Sequence, residues 1–122
     1  MSSSMELPVL DEHMWVELKD IMGEDFELLL ETFLSDAAVR LGCLGDAIDV
    51  SDAVALRDEA HSFKGSCGNI GAMRLSSIAW SLEQQAASID WAVAKASLVE
   101  MQSEYLQVQQ LIQQFIQQEL PS

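Results

Sequence analysis

The stretch Ala60-His61-Ser62-Phe63-Lys64-Gly65-Ser66-Cys67-Gly68-Asn69-Ile70-Gly71 gathers residue types that can do chemistry together. On a helix, residues three and four apart share a face. His61 therefore lies beside Arg57, Lys64 and Gly65, with Gly68 one turn further along. A histidine titrates near neutrality, so much of it is neutral and nucleophilic at cytosolic pH. One neutral ring nitrogen can attack phosphorus, and a helix holds that nitrogen in place. A phosphoryl group on the ring brings nearly two negative charges, which Lys64 can partly neutralise as a flexible point charge. Arg57 supplies a second cation one turn earlier. An exposed His-Lys pair is by itself most often ordinary surface, so the rest of the segment has to decide.

Gly65 and Gly68 carry that decision. Each costs roughly 1 kcal/mol relative to alanine in a helix interior. Both fall on the face of His61, and neither sits at an end where a cap would explain it. A strip without side chains lets another protein's surface approach the imidazole closely. The competing explanation is tight packing against a neighbouring helix. It is stronger for Gly68 than for Gly65, which lies nearer the open face.

The elements that must position this segment follow from periodicity. Leu10, Met14, Leu18 and Ile21 predict an amphipathic helix over 9–22, interrupted by Gly23. A long helix is predicted over 24–47, with Phe26, Leu30, Phe33, Ala37, Leu41, Leu44 and Ile48 on one stripe. Glu24 and Asp25 at its start favour the helix dipole. Asp49-Val50-Ser51-Asp52 reads as a turn and N-cap, opening a helix over 52–69. Its inward stripe is Ala53, Leu56, Ala60, Phe63, Cys67 and Ile70, so His61 points about 100° away from the core. Gly71 is placed to end it in the left-handed conformation. A fourth helix over 72–87 turns Leu75, Ala79, Leu82 and Ala86 inward. Asp90 then caps a last helix over 91–118, with Ala94, Leu98, Met101, Tyr105, Val108, Ile112 and Phe115 as its stripe. Short turns between long amphipathic helices predict an all-α, up-and-down antiparallel four-helix bundle, with the short first helix across one end. Residues 1–8 read as a disordered lead and 9–119 as a single domain.

Composition narrows the partners. Of 122 residues, 49% are apolar, enough for one core. Proline occurs only at Pro8 and Pro121, leaving the interior clear for helices. The net charge of −14 repels nucleic-acid phosphates and anionic lipids, so neither is expected as a partner. Plain solubility explains the acidity as well as steering does. The two cysteines, Cys43 and Cys67, have no paired spacing and are expected as inert packing. The N-terminus lacks the pattern of a signal peptide, and no apolar run is long enough to span a membrane. A cytoplasmic monomer is expected.

These residues are similar to a known family. Ala60-His61-Ser62-Phe63-Lys64-Gly65-Ser66, with Asn69-Ile70-Gly71, Leu75 and Leu82-Glu83, resembles the histidine phosphotransfer (HPt) domain. Met22-Gly23-Glu24-Asp25 and Phe33-Leu34 resemble it too, so the likeness runs from about Leu10 to Phe115. Among its members the chain looks most like stand-alone bacterial HPt proteins of the HptB kind. The resemblance implies a four-helix bundle without kinase activity of its own. Such a domain accepts a phosphoryl group from a receiver-domain aspartate, often on a hybrid sensor kinase, and donates it to another receiver. His61 then matches the phosphorylated histidine, Lys64 the lysine that meets the phosphoryl group, and Gly65 the small residue that makes room for the receiver. Glu83 falls where the family often has a polar residue near the histidine, which makes it a further candidate for contact with the phosphoryl group or receiver. Ser66-Cys67-Gly68 departs from the small apolar residues more usual there, but all three are small. Arg57 is not a fixed family position, and its contact with a phosphoryl group or receiver, like that of Gly68, rests on spacing alone.

No cofactor or metal is expected. One rival is a metal-binding helical bundle using His13, His61 and Glu83, although the Glu-x-x-His pairs of such bundles are missing. Another is a helical interaction domain that binds receivers without transfer, which an intact His61, Lys64 and Gly65 argue against. A kinase is excluded because no glycine-rich nucleotide loop is present. His13 is expected at the surface. Trp15, Trp80 and Trp91 are expected at the bundle edge, with one near the first helix available to touch a partner.

Overall fold

Asp11 and Asp52 each place a carboxylate oxygen where a helix begins. Asp11 accepts from the backbone of Met14 at 3.1 Å and Asp52 from that of Ala55 at 3.0 Å, satisfying amides that have no intrahelical partner. Asp90 does the same for Val93 at 3.2 Å. A computed structural model describes residues 7–88 and 90–119. Five helices result: α1 (Glu12–Met22), α2 (Asp25–Asp49), α3 (Ala53–Asn69), α4 (Met73–Ser88) and α5 (Trp91–Glu119). The expected boundaries hold to within a residue or two, except that α1 starts at Glu12 because Asp11 caps it.

Helices α2 to α5 pack as an antiparallel ring in which each touches its two neighbours. This is the expected up-and-down bundle. Side chains set the register between neighbours. Arg40 on α2 reaches Glu59 on α3 at 3.6 Å, and Ser97 on α5 donates to Gln85 on α4 at 2.9 Å. The Tyr105 hydroxyl on α5 donates to the carbonyl of Leu34 on α2 at 3.2 Å. Inside lies an aliphatic core with Phe26, Leu30, Phe63, Leu75, Leu82, Met101 and Ile112 fully buried. On α3 the buried set is Leu56, Ala60, Phe63 and Cys67, as the stripe predicted, with Ala53 only partly covered. Burial pushes the Cys67 thiol well above its ordinary range, which keeps it protonated and inert.

The first helix is rotated relative to expectation. Ile21, placed inward by its spacing, is 80% exposed, while Trp15, placed at the edge, is buried. The indole decides the rotation. Its ring meets Phe26 and Phe115 edge-on at 5.5 and 5.2 Å, and its Nε1 donates to the Ile70 carbonyl at 2.6 Å. An aromatic that buries a large area and satisfies its own donor outweighs one isoleucine. Trp15 is therefore a structural pin joining α1 to the end of α3, not an available contact. Trp91 is partly buried against the core, whereas Trp80 is exposed.

Residues 1–6 of the expected lead lie outside the described residues. The carbonyl of Leu7 accepts from Arg74 Nε at 2.6 Å, and Arg74 Nη1 also stands 4.0 Å from the buried Glu104 on α5. No helix among the described residues is long and apolar enough to cross a membrane.

Trp15→Phe keeps the ring but removes the donor, leaving the Ile70 carbonyl unpaired in a buried place. Urea denaturation should show a loss of roughly 1–3 kcal/mol. An unchanged midpoint would mean that the indole hydrogen bond does not hold α1 down.

Candidate functional site

The turn between α3 and α4 determines what can face His61. Gly71 takes φ +72°, a conformation that side chains disfavour. It lets the Ala72 amide return to the Cys67 carbonyl at 2.9 Å and the Gly71 amide to that of Gly68 at 3.1 Å, closing α3. Helix α4 then runs back along α3, and Ser76 donates from its hydroxyl to the Lys64 carbonyl at 3.1 Å. Glu83 lies seven residues beyond Ser76, almost two full turns, and so faces α3 as well.

Glu83 bridges the site. One carboxylate oxygen is 2.7 Å from His61 Nδ1, and the other accepts from Lys64 Nζ at 3.0 Å. The imidazole is open, with its side chain 67% exposed, while that of Glu83 is only 15% exposed. Lys64, expected to face solvent, lies along α4 with its side chain 30% exposed. The hydrogen bond from Lys64 holds the Glu83 carboxyl below its ordinary range against the opposing effect of burial, and His61 adds to the lowering. Glu83 is thus ionised at neutral pH and can only accept. His61 Nδ1 must then carry the proton, and in the neutral ring Nε2 keeps its lone pair. Nε2 makes no hydrogen bond among the described residues, and the ring stands in solvent. A carboxylate behind one ring nitrogen and an unencumbered second nitrogen is a nucleophile's arrangement.

The two glycines separate. A Cβ at Gly65 would meet nothing within 4 Å. A Cβ at Gly68 would lie 3.9 Å from Ser76 Oγ, so Gly68 sits against α4 and belongs to the helix seam. Arg57 keeps the side of His61 but pairs with its neighbour Asp58 at 3.3 Å. The three ligands of a metal-binding bundle do not converge: His13 pairs with Glu17 at 3.0 Å on α1, and no cluster of three His, Cys, Asp or Glu forms among the described residues. Sequence reasoning gave Glu83 little weight and passed over Ser76. The available signal was their shared face of α4 in a hairpin whose turn at Gly71 brings position 83 opposite position 61.

A family model described as the Hpt domain matches residues 28–118. The crystal structure of histidine-containing phosphotransfer protein B (HptB) from Pseudomonas aeruginosa PAO1 matches with a TM-score of 0.89 at 35% sequence identity, covering 93% of this chain and 98% of that one. No curated protein sequence matches the chain.

Because its folded pKa is depressed, Glu83 contributes stability that is present above the ordinary carboxylate pKa. That contribution is lost as pH falls through the lower folded value. Carbon-detected NMR should place the Glu83 inflection below that of an ordinary glutamate. Lys64→Ala, which removes the largest cause, should move it upward. An inflection unmoved by that substitution would show that the bridge does not form in solution.

Proposed function

The chain belongs to the Hpt domain family, and from that premise we propose that His61 carries the phosphoryl group, on Nε2. The protein is a histidine phosphotransfer protein of a phosphorelay. The observation that supports His61 as its acceptor is the exposed imidazole held through Nδ1 by Glu83, with Lys64 on the same carboxylate.

In the proposed step a receiver's aspartyl phosphate is the donor. The Nε2 lone pair forms an N–P bond as the P–O bond to the aspartate breaks, and the aspartate leaves as a carboxylate. The ring becomes a phosphorylated imidazolium, because the Nδ1 proton stays where it was. Glu83 faces that proton and stabilises the positive charge as it develops, much as a buried carboxylate supports a catalytic histidine. Lys64 is within one turn, and its flexible side chain can leave one oxygen of Glu83 for the incoming phosphoryl oxygens. The reverse transfer starts from the same imidazolium and expels a neutral imidazole, a good leaving group. The phosphoryl group can therefore pass on to a second receiver, the N–P bond breaking as a P–O bond to that receiver's aspartate forms. We read it as a phosphocarrier without kinase activity of its own, acting in the cytoplasm on receiver domains through the unit 9–119.

Gly65 leaves open the space that a receiver's aspartyl pocket must occupy. Arg57 is exposed on the same side, where it is available to phosphoryl oxygens or to the partner.

Incubation with a phosphorylated receiver should label the wild-type chain in an acid-labile, base-stable form, and His61→Gln should take no label. Persistent labelling of that variant would refute His61 as the acceptor. Gly65→Gln tests access separately. It replaces a poor helix former in open space, so its melting temperature should stay the same or rise. Its transfer from a receiver should nevertheless fall at least tenfold, about 1.4 kcal/mol. A marked drop in melting temperature instead would show that Gly65 serves the packing.

A further inference from the structure

Trp80 is the one aromatic among the large apolar side chains that stand exposed in the described residues, at 52%. No ring or cation stacks on it there. Its place is defined by its neighbours on α4. Ser76 and Glu83 both bond to α3, which fixes the side of α4 that faces His61. Trp80 lies three residues before Glu83, about 60° around the helix from it and further from the core. Along the antiparallel pair, where Ser76 bonds to the Lys64 carbonyl and Glu83 to His61 and Lys64, it falls level with the turn of α3 around Lys64.

Phosphoryl transfer demands that the partner's acidic pocket reach His61 itself. Even an interface of standard size covers about 800 Å² on each side, a disc of roughly 16 Å radius. Trp80 is about 5 Å along α4 from Glu83, which touches His61 at 2.7 Å. A partner seated on His61 therefore covers Trp80. Of six basic residues in a chain of net charge −14, Arg57 and Lys64 lie within one turn of His61, each paired with an acidic side chain, Asp58 and Glu83. A rigid indole that ends up desolvated near the centre of an interface is the kind of residue that dominates binding.

We propose that Trp80 is the residue by which this chain recognises its receiver, entering an apolar recess next to the partner's phosphoaspartate pocket. The proposal rests on the phosphotransfer reading above and adds to it the site of recognition. His61 and Lys64 supply the chemistry, whereas Trp80 determines how tightly and how selectively the donor is held.

The test uses the full chain, Trp80→Ala and Trp80→Phe, with two phosphodonors. One is the receiver domain of the same genome that transfers fastest to the wild type. The other is phosphoramidate, too small to touch Trp80 while it reacts at His61. Trp80→Ala should raise the KM for the receiver by roughly tenfold or more, with transfer recovering at saturating receiver. Trp80→Phe should fall between the two. Labelling by phosphoramidate and the melting temperature should not change. An unaltered receiver KM in Trp80→Ala overturns the proposal while leaving the phosphotransfer reading intact. An equal loss with phosphoramidate also overturns it, since Trp80 would then act on the geometry of His61. A wild-type chain labelled by neither donor refutes the phosphotransfer reading and this one with it.

Discussion

The carboxylate of Glu83 ties α3 to α4 beside the exposed imidazole of His61, and the candidate site depends on it. Its two oxygens take His61 Nδ1 at 2.7 Å and Lys64 Nζ at 3.0 Å. As a source of stability such a pair is modest, since exposed ion pairs contribute no more than about 1 kcal/mol. Its importance is geometric. A lone imidazole at the surface samples several rotamers and both tautomers. With an ionised carboxylate behind it, the ring has its proton on one nitrogen and its lone pair directed outward on the other.

The bridge in turn needs the register of the α3–α4 hairpin, and the register needs the turn. Gly71 accepts a backbone conformation that a side chain would resist, and its own amide and that of Ala72 close α3 onto the Gly68 and Cys67 carbonyls. Ser76 fastens the next turn of α4 to the Lys64 carbonyl. Gly68 belongs to this seam, lying against Ser76. Two glycines on one face of α3 thus have different work: Gly68 lies at the packing of the helices, and Gly65 leaves space empty in front of His61. The helix that carries both is held by its opposite face, where Leu56, Ala60, Phe63 and Cys67 are buried and Phe63 stacks on Phe33 at 6.4 Å.

A phosphocarrier has to bind its phosphate reversibly, and this arrangement suits that requirement. Lys64 is not a bare cation waiting for an anion. Its charge is already matched by Glu83, so the resting site has no large unmet demand for phosphate. The positive charge that the proposed transfer creates on the ring appears next to the same carboxylate. One acidic residue thereby balances the lysine before transfer and the imidazolium after it.

The bundle was legible in the chain because its signals are local. Apolar residues spaced by threes and fours, aspartates at helix starts and a glycine after α3 specify helices and their inward faces through interactions between near neighbours. His61, Lys64 and Gly65 were legible for the same reason, as positions one turn apart on one helix. The first helix shows where local pattern fails: its periodicity favoured Ile21, but the indole of Trp15 found Phe26, Phe115 and the Ile70 carbonyl, all distant in sequence. Glu83 is the same case at the site. Its 22-residue separation from His61 says nothing about contact until the turn at Gly71 sets the register of two antiparallel helices. The sequence by itself determined the helices, the main buried positions of α2 to α5 and the open face bearing His61. Only the tertiary structure decided that Glu83 bonds His61 Nδ1 and Lys64 at once, and which tryptophan stays exposed. Helix formation is governed by residues a turn apart, whereas the meeting of side chains on different helices depends on how the whole core closes.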